Sequence, residues 1–341
     1  MRTMSRLLVL HGFICTAILA FAAGGSCAAA AADPMERLVA IEAASERGVT
    51  FTVLSPYRDY PNWYKGQMHC HTRNSDGGCL PPQLEAKYRA DGADWITITD
   101  HEHVTPDPQA EGGQDVPVFI TGEEHGTAEG HMVFIHAGEH IATGPGQEAI
   151  NQATAAGGMA MLCHPDWLAS YGPDELDRLT GFQFIEVVNA GTRDSGKGMG
   201  YGSAAWDYLL GQGKVVWGTA TDDFHGGPQS ALHGGYVVVN APALTAPAIL
   251  ANLLAGNFYA TEGPELHLSV QGGQLTVTCT EPQSVFFRGP GGAAYRVARL
   301  DGAEQNSATY VLRGDEPYVR VEIFRHADGR RAWSQPIFVR K

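Results

Sequence analysis

Histidine and carboxylate residues recur through the middle of this sequence in patterns that suit metal binding. The stretch GQMHCHTRNSDG at residues 66–77 holds His69 and His71 on either side of one cysteine, and Asp76 follows in a Ser-Asp-Gly turn. Side chains at positions i and i+2 of a strand share one face, so the two imidazoles are expected to point the same way. Imidazole and carboxylate groups are ligands that Zn²⁺, Mn²⁺ and Fe²⁺ accept. This stretch therefore predicts part of a metal site.

Further groups of the same kind lie at the ends of later apolar segments. They are His101 in TDH, Glu124 in GEE, His131 at the start of HMVFIH, His164 in MLCHP, and Asp223 and His225 in DDFH. Each motif alone is common in proteins without a metal, and their joint, ordered occurrence carries the inference. One ion takes about four to six ligands. The full set therefore predicts two or three divalent ions (Mn, Fe or Zn), with Glu124 or Asp223 as the bridging ligand.

Three choices within this set stay open at the level of sequence. Glu123 competes with Glu124, and Asp222 competes with Asp223. His140 could replace His131 if the register of that strand differs. Glu186, at the end of an apolar run, is expected to stand behind the ligands and hold a histidine N–H.

The elements around these residues predict an α/β fold. Apolar runs such as WITITD (95–100) and FQFIEVVN (182–189) alternate with helical patterns such as PPQLEAKYRADGA. This alternation predicts a parallel sheet, closed or nearly closed into a barrel, over residues 63–263. Catalytic groups gather at the carboxyl ends of such strands, which is where the histidines and carboxylates fall.

Two flanking regions differ from the predicted barrel. Residues 264–341 alternate with period two between Gly-rich turns, which predicts a small, sandwich-like antiparallel β domain. Residues 33–62 form a lead-in, with an amphipathic helix expected around Met35 to Glu46.

The first 32 residues have the pattern of a secretory signal. Arg2 and Arg6 precede a long apolar segment, and small residues follow it, so cleavage is expected between Ala29 and Ala32. This predicts a secreted or periplasmic protein with no membrane span in the mature chain. Lipoprotein anchoring at Cys27 is not favoured, because Gly24 stands where a large aliphatic residue is expected. A retained anchor is disfavoured by His11 and the glycines.

The net charge of the chain disfavours nucleic acid as a partner, and the positions of two cysteines indicate apolar packing. The formal net charge of −14 opposes a nucleic-acid groove, whose affinity comes from basic residues that neutralise phosphates. Cys70 and Cys163 each follow or precede a histidine on a predicted strand, so they are expected to point away from the site into apolar packing. The sequence does not predict an oligomeric state.

The ordered motifs HCHTRNSDG, ITDH, GEE, GHMVFIH, CHP and DDFH resemble the PHP (polymerase and histidinol phosphatase) superfamily. The resemblance covers about residues 60–341 and implies a distorted seven-stranded β/α barrel with a di- or trinuclear metal centre. The metal ligands it implies are His69, His71, Asp76, His101, Glu124, His131, His164, Asp223 and His225. The segments WYKGQMH, EVVNAG, WDYLLGQG, YATEGP and GRRAWSQPIFV look like the branch typified by carbaryl hydrolase. The doubled aspartate in DDFH departs from the family pattern, which usually has a small residue before the histidine.

The predicted chemistry is hydrolysis of a small-molecule ester. A metal-bound water loses its proton near neutral pH, so no serine or cysteine nucleophile is needed. The chain lacks a G-x-S-x-G elbow and a P-loop, which disfavours serine-hydrolase and nucleotide readings. The family resemblance implies phosphomonoester or phosphodiester cleavage, with carbamate or aryl-ester cleavage as the alternative. A metal- or ligand-binding module without catalysis is the alternative from another class.

Four side chains are candidate contacts to an anionic substrate. Arg73 and His125 stand beside ligand motifs, and Arg193 and Lys197 lie in the Gly-rich segment 189–202. The guanidinium fork suits oxyanions. The alternative for Arg193 and Lys197 is that they are solvated loop charges.

Overall fold

A computed structural model describes residues 33–108, 117–136, 138–142, 144–195, 199–226 and 232–341. The strands up to the end of the predicted barrel are β1 (Val39–Ala44), β2 (Thr50–Ser55), β3 (Asn62–Gln67), β4 (Trp95–Ile98), β5 (Val118–Gly126), β6 (His131–Ile135), β7 (Met159–Leu162), β8 (Phe184–Asn189), β9 (Trp217–Thr221), β10 (Tyr236–Ala241) and β11 (Phe258–Thr261). The later strands are β12 (His267–Gln271), β13 (Gln274–Thr278), β14 (Gln283–Arg288), β15 (Ala294–Leu300), β16 (Ser307–Val311), β17 (Tyr318–Arg325), β18 (Arg331–Ser334) and β19 (Ile337–Arg340). The α-helices in the described ranges are α1 (Pro81–Ala90), α2 (Gly146–Ala155), α3 (Pro173–Arg178), α4 (Ala190–Asp194), α5 (Ser203–Gly211) and α6 (Ala246–Leu254).

The strands from β3 to β9 lie side by side in chain order within one large sheet. The pairs β3–β4, β4–β5, β7–β8 and β8–β9 are parallel, whereas β6 is antiparallel to both β5 and β7. The α/β class is therefore confirmed, but the parallel sheet expected over residues 63–263 contains antiparallel pairs at β6, β10 and β11. The reason at β6 is local: a tight turn joins β5 to β6, with the Thr127 N–H bonded to the Gly130 carbonyl at 3.0 Å, so no crossover helix intervenes.

The two ends of this run meet without forming a strand pair. In the described residues the segments that follow β3 and β9 share one isolated bridge, between Cys70 and Phe224, and a few backbone hydrogen bonds rather than a ladder. Closure of the sheet into a barrel therefore stays a prediction. At the other side of β3 the sheet continues through β10 and β11, both antiparallel to their neighbours.

Strands in the middle of the run are buried on both faces, which explains their near-continuous apolar sequences. Every residue of β4, β7 and β8 is buried. Trp95, Phe134, Phe184 and Trp217 are among the large side chains of this core. Gly66 makes room for one of them, because a Cβ atom at this position would lie 1.9 Å from the Trp95 ring.

The C-terminal region is antiparallel, as the period-two alternation indicated. Strands β12, β13 and β16 form a separate three-stranded sheet, while β14, β15 and β17 to β19 extend the large sheet. Its core contains Val285, Phe287, Val321 and Ile323.

The lead-in is extended rather than helical beyond its first turn, so the helix expected around Met35 to Glu46 is wrong. Only Pro34–Arg37 forms a 3-10 helix, and β1 pairs with β2, which in turn pairs with β19. Ile41 and Ala43 are two positions apart and both pack on the C-terminal core. Their spacing fits a strand with one covered face, and pairing to β2 satisfies the backbone. The predicted domain limits at 63 and 264 stay predictions.

The described cysteines are all buried. Cys70, Cys79, Cys163 and Cys279 are buried and form no disulfide, and the packing role expected for Cys70 is confirmed by its place in an apolar cluster. Cys163 is also buried, but its sulfur lies close to His69 and Glu186, so the expectation that it points away from the site is wrong. In the described ranges no helix combines the length and apolarity needed to traverse a bilayer. The proposed signal at 1–32, with Cys27, lies outside the described residues.

We expect Phe51→Ala to lower the free energy of unfolding by about 3–5 kcal/mol, the usual cost of removing a buried Phe side chain. Phe51 on β2 is 3% exposed and packs within the C-terminal core, where Gly273 and Gly314 approach its ring. Denaturant unfolding measures the change. Val49→Ala is the control, because Val49 is 45% exposed and its loss should cost less than about 0.5 kcal/mol. Equal effects of the two changes would contradict a structural role for β2.

Candidate metal centre

His69 and His71 follow β3 directly, and backbone bonds fix their position. The His71 N–H donates to the Phe224 carbonyl at 2.9 Å, and the Asp223 N–H donates to the His69 carbonyl at 3.0 Å. Both imidazoles are fully buried. Cys70 between them points the other way, into a small apolar cluster with Leu84. The strand alternation expected from the sequence therefore places both imidazoles on one side.

The Glu124 carboxylate lies at the centre of the histidines. One of its oxygens, Oε2, is 3.0 Å from His69 Nε2, 3.1 Å from His71 Nε2 and 3.4 Å from His101 Nε2. The other, Oε1, is 2.8 Å from His131 Nδ1 and 3.3 Å from His164 Nε2. Glu124 is 1% exposed. This arrangement suits a carboxylate that bridges two ions.

Asp223 completes an inner cluster with His69, His71 and Glu124. Its Oδ1 is 3.1 Å from His71 Nε2 and 3.4 Å from His69 Nε2. One ligand atom from each of these four residues lies within 4.8 Å of the others. Such a cluster has the size and donor set of a cation site.

Besides a buried group of His69, Cys163 and Glu186, two more clusters share members with the inner one. His101, Glu124 and His131 form the first, and an outer cluster contains His71, Asp76, His101 and His225. The Asp76 side chain, 56% exposed, lies 3.4 Å from His225 Nε2 and 3.7 Å from His101 Nε2. The nine residues singled out in the sequence thus lie close together, and all of them except the fully buried His69 and His71 line one cavity.

Left-handed backbone conformations hold two members of the site. His164 has φ = 29° and Asp223 has φ = 50°, a region that costs a non-glycine residue of order 1–3 kcal/mol. The His164 N–H is held by Glu186 Oε2 at 2.6 Å, and the Asp223 N–H by the His69 carbonyl. Strain maintained by such bonds is a feature of functional sites.

The carboxylates and imidazoles shift one another's pKa values. Burial opposes charge on Asp223, yet His69 and His71 hold the pKa of that carboxyl below its usual value. Burial likewise disfavours the imidazolium of His71, but Asp223 and Glu124 raise its pKa to about 9. The pKa of Glu124 is lowered, against the effect of burial, by the histidines around it. The carboxylates are therefore ionised and require positive charge beside them.

The donor set fits divalent transition ions. Both ring nitrogens of His71 and Nδ1 of His164 are buried and lack a hydrogen-bond partner of acceptable geometry. A buried imidazole nitrogen without a partner is costly. A neutral imidazole binds a cation through one ring nitrogen, so an ion held at His71 Nε2 would satisfy that atom and would also neutralise Glu124 and Asp223.

The geometry separates the residues that the sequence left as alternatives. Glu123 points to the opposite side of β5, where it accepts from His140 Nδ1 at 2.7 Å and from the Ile141 N–H. His131, not His140, therefore reaches Glu124. Asp222 accepts from the Tyr88 hydroxyl at 2.8 Å and the His233 N–H at 2.7 Å.

The neighbouring aspartates differ in charge behaviour as well as in direction. Burial raises the pKa of Asp222 to about 6, although its hydrogen bonds act in the opposite sense. Asp222 therefore links α1 to the loop after β9 through hydrogen bonds, whereas Asp223 faces the imidazoles.

The three predicted substrate contacts that lie in the described residues do not line the cavity. Arg73 is exposed and its Nε donates to the Gly78 carbonyl at 3.0 Å. His125 is buried beside Glu102 and the His140 ring, on the side of β5 opposite Glu124. The Arg193 guanidinium is engaged by Asp194 at 2.7 Å and by Glu262. Lys197 lies outside the described residues.

Some residues that line the cavity were not predicted from the sequence. Trp167 forms a wall of the cavity of about 420 Å³, with its ring centroid 5.0 Å from that of His164. Thr192, Asp194 and Ser195 also line it. Trp167 belongs to the sequence CHPDW, three positions after a candidate ligand, which is the only signal that could have indicated it.

Asp100 fixes the loop that carries Asp76. Its carboxylate accepts from the Thr72 N–H at 2.7 Å, the Thr72 hydroxyl at 2.6 Å and the Ser75 hydroxyl at 2.8 Å. Gly77 closes the same turn, because a Cβ atom there would lie 2.4 Å from the His71 carbonyl carbon. The turn thereby sets Asp76 above the imidazoles.

Glu186 has the role expected from the sequence. Its Oε1 lies 2.8 Å from His69 Nδ1 and accepts from the Thr221 hydroxyl at 2.6 Å. Its Oε2 accepts from the His164 backbone N–H at 2.6 Å and from the Asn189 side-chain amide at 2.9 Å. The bond to Nδ1 directs the other nitrogen of His69 toward Glu124 and Asp223.

Comparison with solved structures shows the fold. A two-domain protein from Bacteroides vulgatus, described as containing a predicted PHP-like metal-dependent phosphoesterase, is 16% identical; the match covers 79% of this chain and 92% of that chain, with a TM-score of 0.50. PsfC from Pseudomonas syringae is 14% identical, with 57% and 88% coverage and a TM-score of 0.39. An amidohydrolase from Chromobacterium violaceum is 16% identical, with 57% and 96% coverage and a TM-score of 0.36. No protein-family model matches the sequence, and no curated protein matches it. The chain thus shares its fold with the Bacteroides protein.

We expect Glu186→Gln to weaken divalent metal binding by about 10–100-fold, the usual effect of losing a partner behind a ligand. Titration of the protein with Mn²⁺ or Zn²⁺ measures the affinity. Glu123→Gln is the matched control, because this buried carboxylate lies on the other side of β5. If both changes left the affinity at the wild-type value, Glu186 would not position His69.

Proposed function

We propose that this protein is a metal-dependent hydrolase of small-molecule esters, with phosphoesters as the favoured substrates. The observation that carries the proposal is the central position of Glu124 among five imidazoles, with Asp223 beside two of them. Candidate clusters that share members support a centre of two or three ions.

The residues divide into groups around the shared carboxylate. The inner cluster of His69, His71, Glu124 and Asp223 would hold one ion, and Glu124 with His101 and His131 would hold a second. His164 approaches Glu124 Oε1 and is available to the second ion. The outer cluster with Asp76 and His225 would hold a third ion. Bound divalent ions lower the pKa of coordinated water and neutralise charge on the entering and leaving oxygens.

The chain's own side chains supply orientation and enclosure. Glu186 holds the His69 Nδ1 proton, so that Nε2 is left as the ligand atom. Trp167 excludes water from one side of the cavity. The Ser195 hydroxyl donates to the Thr192 carbonyl at 2.6 Å, which fixes the wall formed by the start of α4 and its following turn.

Phosphoesters are favoured by the pairing of clusters around one bridging carboxylate, since two neighbouring ions suit in-line displacement at phosphorus. The description of the Bacteroides protein as a PHP-like phosphoesterase supports the same choice. We also propose that β3 to β9 form the seven-stranded barrel implied by the sequence resemblance, supported by the backbone bonds between residues 69–71 and 223–224. Export remains a proposal that rests on the N-terminal sequence pattern.

Aryl-ester or carbamate hydrolysis is the second candidate. Among the described lining residues there is no arginine or lysine, so the cavity is equally open to a neutral substrate. Trp167 gives an aromatic leaving group a ring to pack against. The segments that resemble the carbaryl hydrolase branch agree with this candidate.

Removal of metal should abolish hydrolysis. We expect chelator-treated protein to lose turnover of p-nitrophenyl phosphate and to regain it with Mn²⁺, Fe²⁺ or Zn²⁺. His71→Ala should lower both metal content and turnover by more than about a hundredfold, because even changes behind a ligand cost 10–100-fold. Elemental analysis and initial rates are the measurements.

His140→Ala is the control for this test, since His140 pairs with Glu123 away from the cavity. A panel of phosphomonoesters, phosphodiesters, aryl esters and carbamates separates the candidates. Unchanged hydrolysis in chelator would disprove the metal mechanism. Bound metal without turnover of any substrate in the panel would favour a binding module.

Trp167→Ala tests the second candidate. We expect it to lower kcat/KM for aryl esters by about 3–10-fold relative to methyl esters, which corresponds to one aromatic contact. Steady-state kinetics on matched aryl and methyl substrates measure the ratio. Trp63→Ala, at an exposed ring that lines a different cavity, serves as the control. An unchanged ratio in Trp167→Ala would show that the leaving group does not contact this ring.

A further inference from the structure

A second polar cavity lies between α5 and the C-terminal strands, and its lining residues differ from those of the metal cavity. Its volume is about 460 Å³. Helix α5 contributes Ser203 and Asp207, and strands β14, β17 and β18 contribute the charged side chains Arg288, Arg320, Glu322 and Arg331. The volume is within the range of about 300–1,000 Å³ that small-molecule pockets occupy.

The charges around this cavity do not balance. Arg320 is bidentate to Asp207, with bonds of 2.8 and 2.7 Å. Arg288 and Arg331 share Glu322, at 2.5 and 3.3 Å. Three guanidinium groups thus share two carboxylates, so these five side chains carry a net positive charge in a chain whose net charge is −14.

Several donors at this cavity also lack an acceptor. Arg320 is 1% exposed, and its Nη1 has no hydrogen bond and lies 3.6 Å from Glu322 Oε2. The Nε of Arg331 and the Ser203 hydroxyl are buried and without a partner. Each such group carries a desolvation cost of about 1–3 kcal/mol, and more where it is charged. An acceptor placed between them would remove that cost.

The N-terminus of α5 adds positive electrostatic potential to the same cavity. Ser203 and Ala204 are the first two residues of this nine-residue helix and both line the cavity. No side chain caps the helix at Gly202. The first turn of a helix carries free N–H groups and a partial positive charge.

We propose that this cavity binds a tetrahedral oxyanion, either free inorganic phosphate or the phosphoryl group of a small molecule. The Arg320 Nη1 and Arg331 Nε groups supply charged donors, and Ser203 supplies a hydroxyl. Charged N–H donors suit phosphate because hydrogen bonds between ionised groups are roughly twice as strong as neutral ones. The proposal is independent of the hydrolase function, since none of these residues lines the metal cavity.

Calorimetric titration of the metal-loaded protein with inorganic phosphate tests the site. Phosphate that binds at the metal centre contributes equally in all variants, so the comparison isolates the second cavity. We expect the wild-type protein to take up one more equivalent than Arg331→Gln. Ser203→Ala removes one hydroxyl and should weaken that equivalent by about tenfold, the value of a hydrogen bond to a charged group.

Arg299→Gln is the matched control, because Arg299 is exposed on β15 and does not line the cavity. Its titration should equal that of the wild type. Phenylphosphonate, which has no hydrolysable ester, distinguishes the two ligand sources: tighter binding than phosphate indicates a phosphorylated small molecule, and equal or weaker binding indicates the free ion.

One outcome would overturn the proposal. If the wild type, Arg331→Gln and Ser203→Ala bound the same number of phosphate equivalents with the same affinity, the cavity would not be an anion site. Ser203→Ala keeps the test valid if Arg331→Gln fails to fold. Hydrolysis assays on the same samples report on the metal centre separately.

Discussion

The buried carboxylate of Glu124 is the constraint on which the arrangement of the site depends. An ionised carboxylate removed from water is costly unless opposite charge and hydrogen bonds surround it. Here five imidazoles approach its two oxygens, and Asp223 adds a second carboxylate beside His69 and His71. Imidazole alone compensates such a cluster only when protonated, whereas divalent ions compensate it and leave the rings neutral. The need of the buried carboxylates for positive charge therefore explains both the arrangement of the imidazoles and the proposed metal chemistry.

A layer of buried polar residues behind the ligands keeps this costly cluster in place. Glu186 holds His69 and the backbone of His164, Asp100 holds the turn before Asp76, and Asp222 ties α1 to the loop after β9. The left-handed conformations of His164 and Asp223 persist because the His164 N–H donates to Glu186 and the Asp223 N–H donates to the His69 carbonyl, and these bonds offset their strain. Metal sites generally depend on such supporting partners as much as on the ligands.

Glu262 links the wall of the metal cavity to the C-terminal strands. It is buried and accepts from Arg193 Nη1, from the Tyr201 hydroxyl at 2.9 Å and from the Arg331 N–H at 2.9 Å. Arg193 follows Thr192, which lines the cavity, and the Arg331 guanidinium lies over the Tyr201 ring. The oxyanion cavity and the metal cavity are thus adjacent to one buried carboxylate, although they share no lining residue.

The sequence by itself determined the α/β class, the antiparallel C-terminal strands and the residues that converge, because strand alternation and strand ends are local properties that residue type reveals. Tertiary structure decided whatever depended on pairing: the reversal of β6, which brings His131 beside Glu124, and the strand at Val39–Ala44, which exists because β2 pairs with it. It also decided the directions of Glu123, Asp222, His125 and Arg193. Their spacing fits the site equally well, but hydrogen bonds to His140, Tyr88, Asp194 and Glu262, and contact with Glu102, turn them elsewhere. Such partners are distant in the chain, so no local pattern contains them.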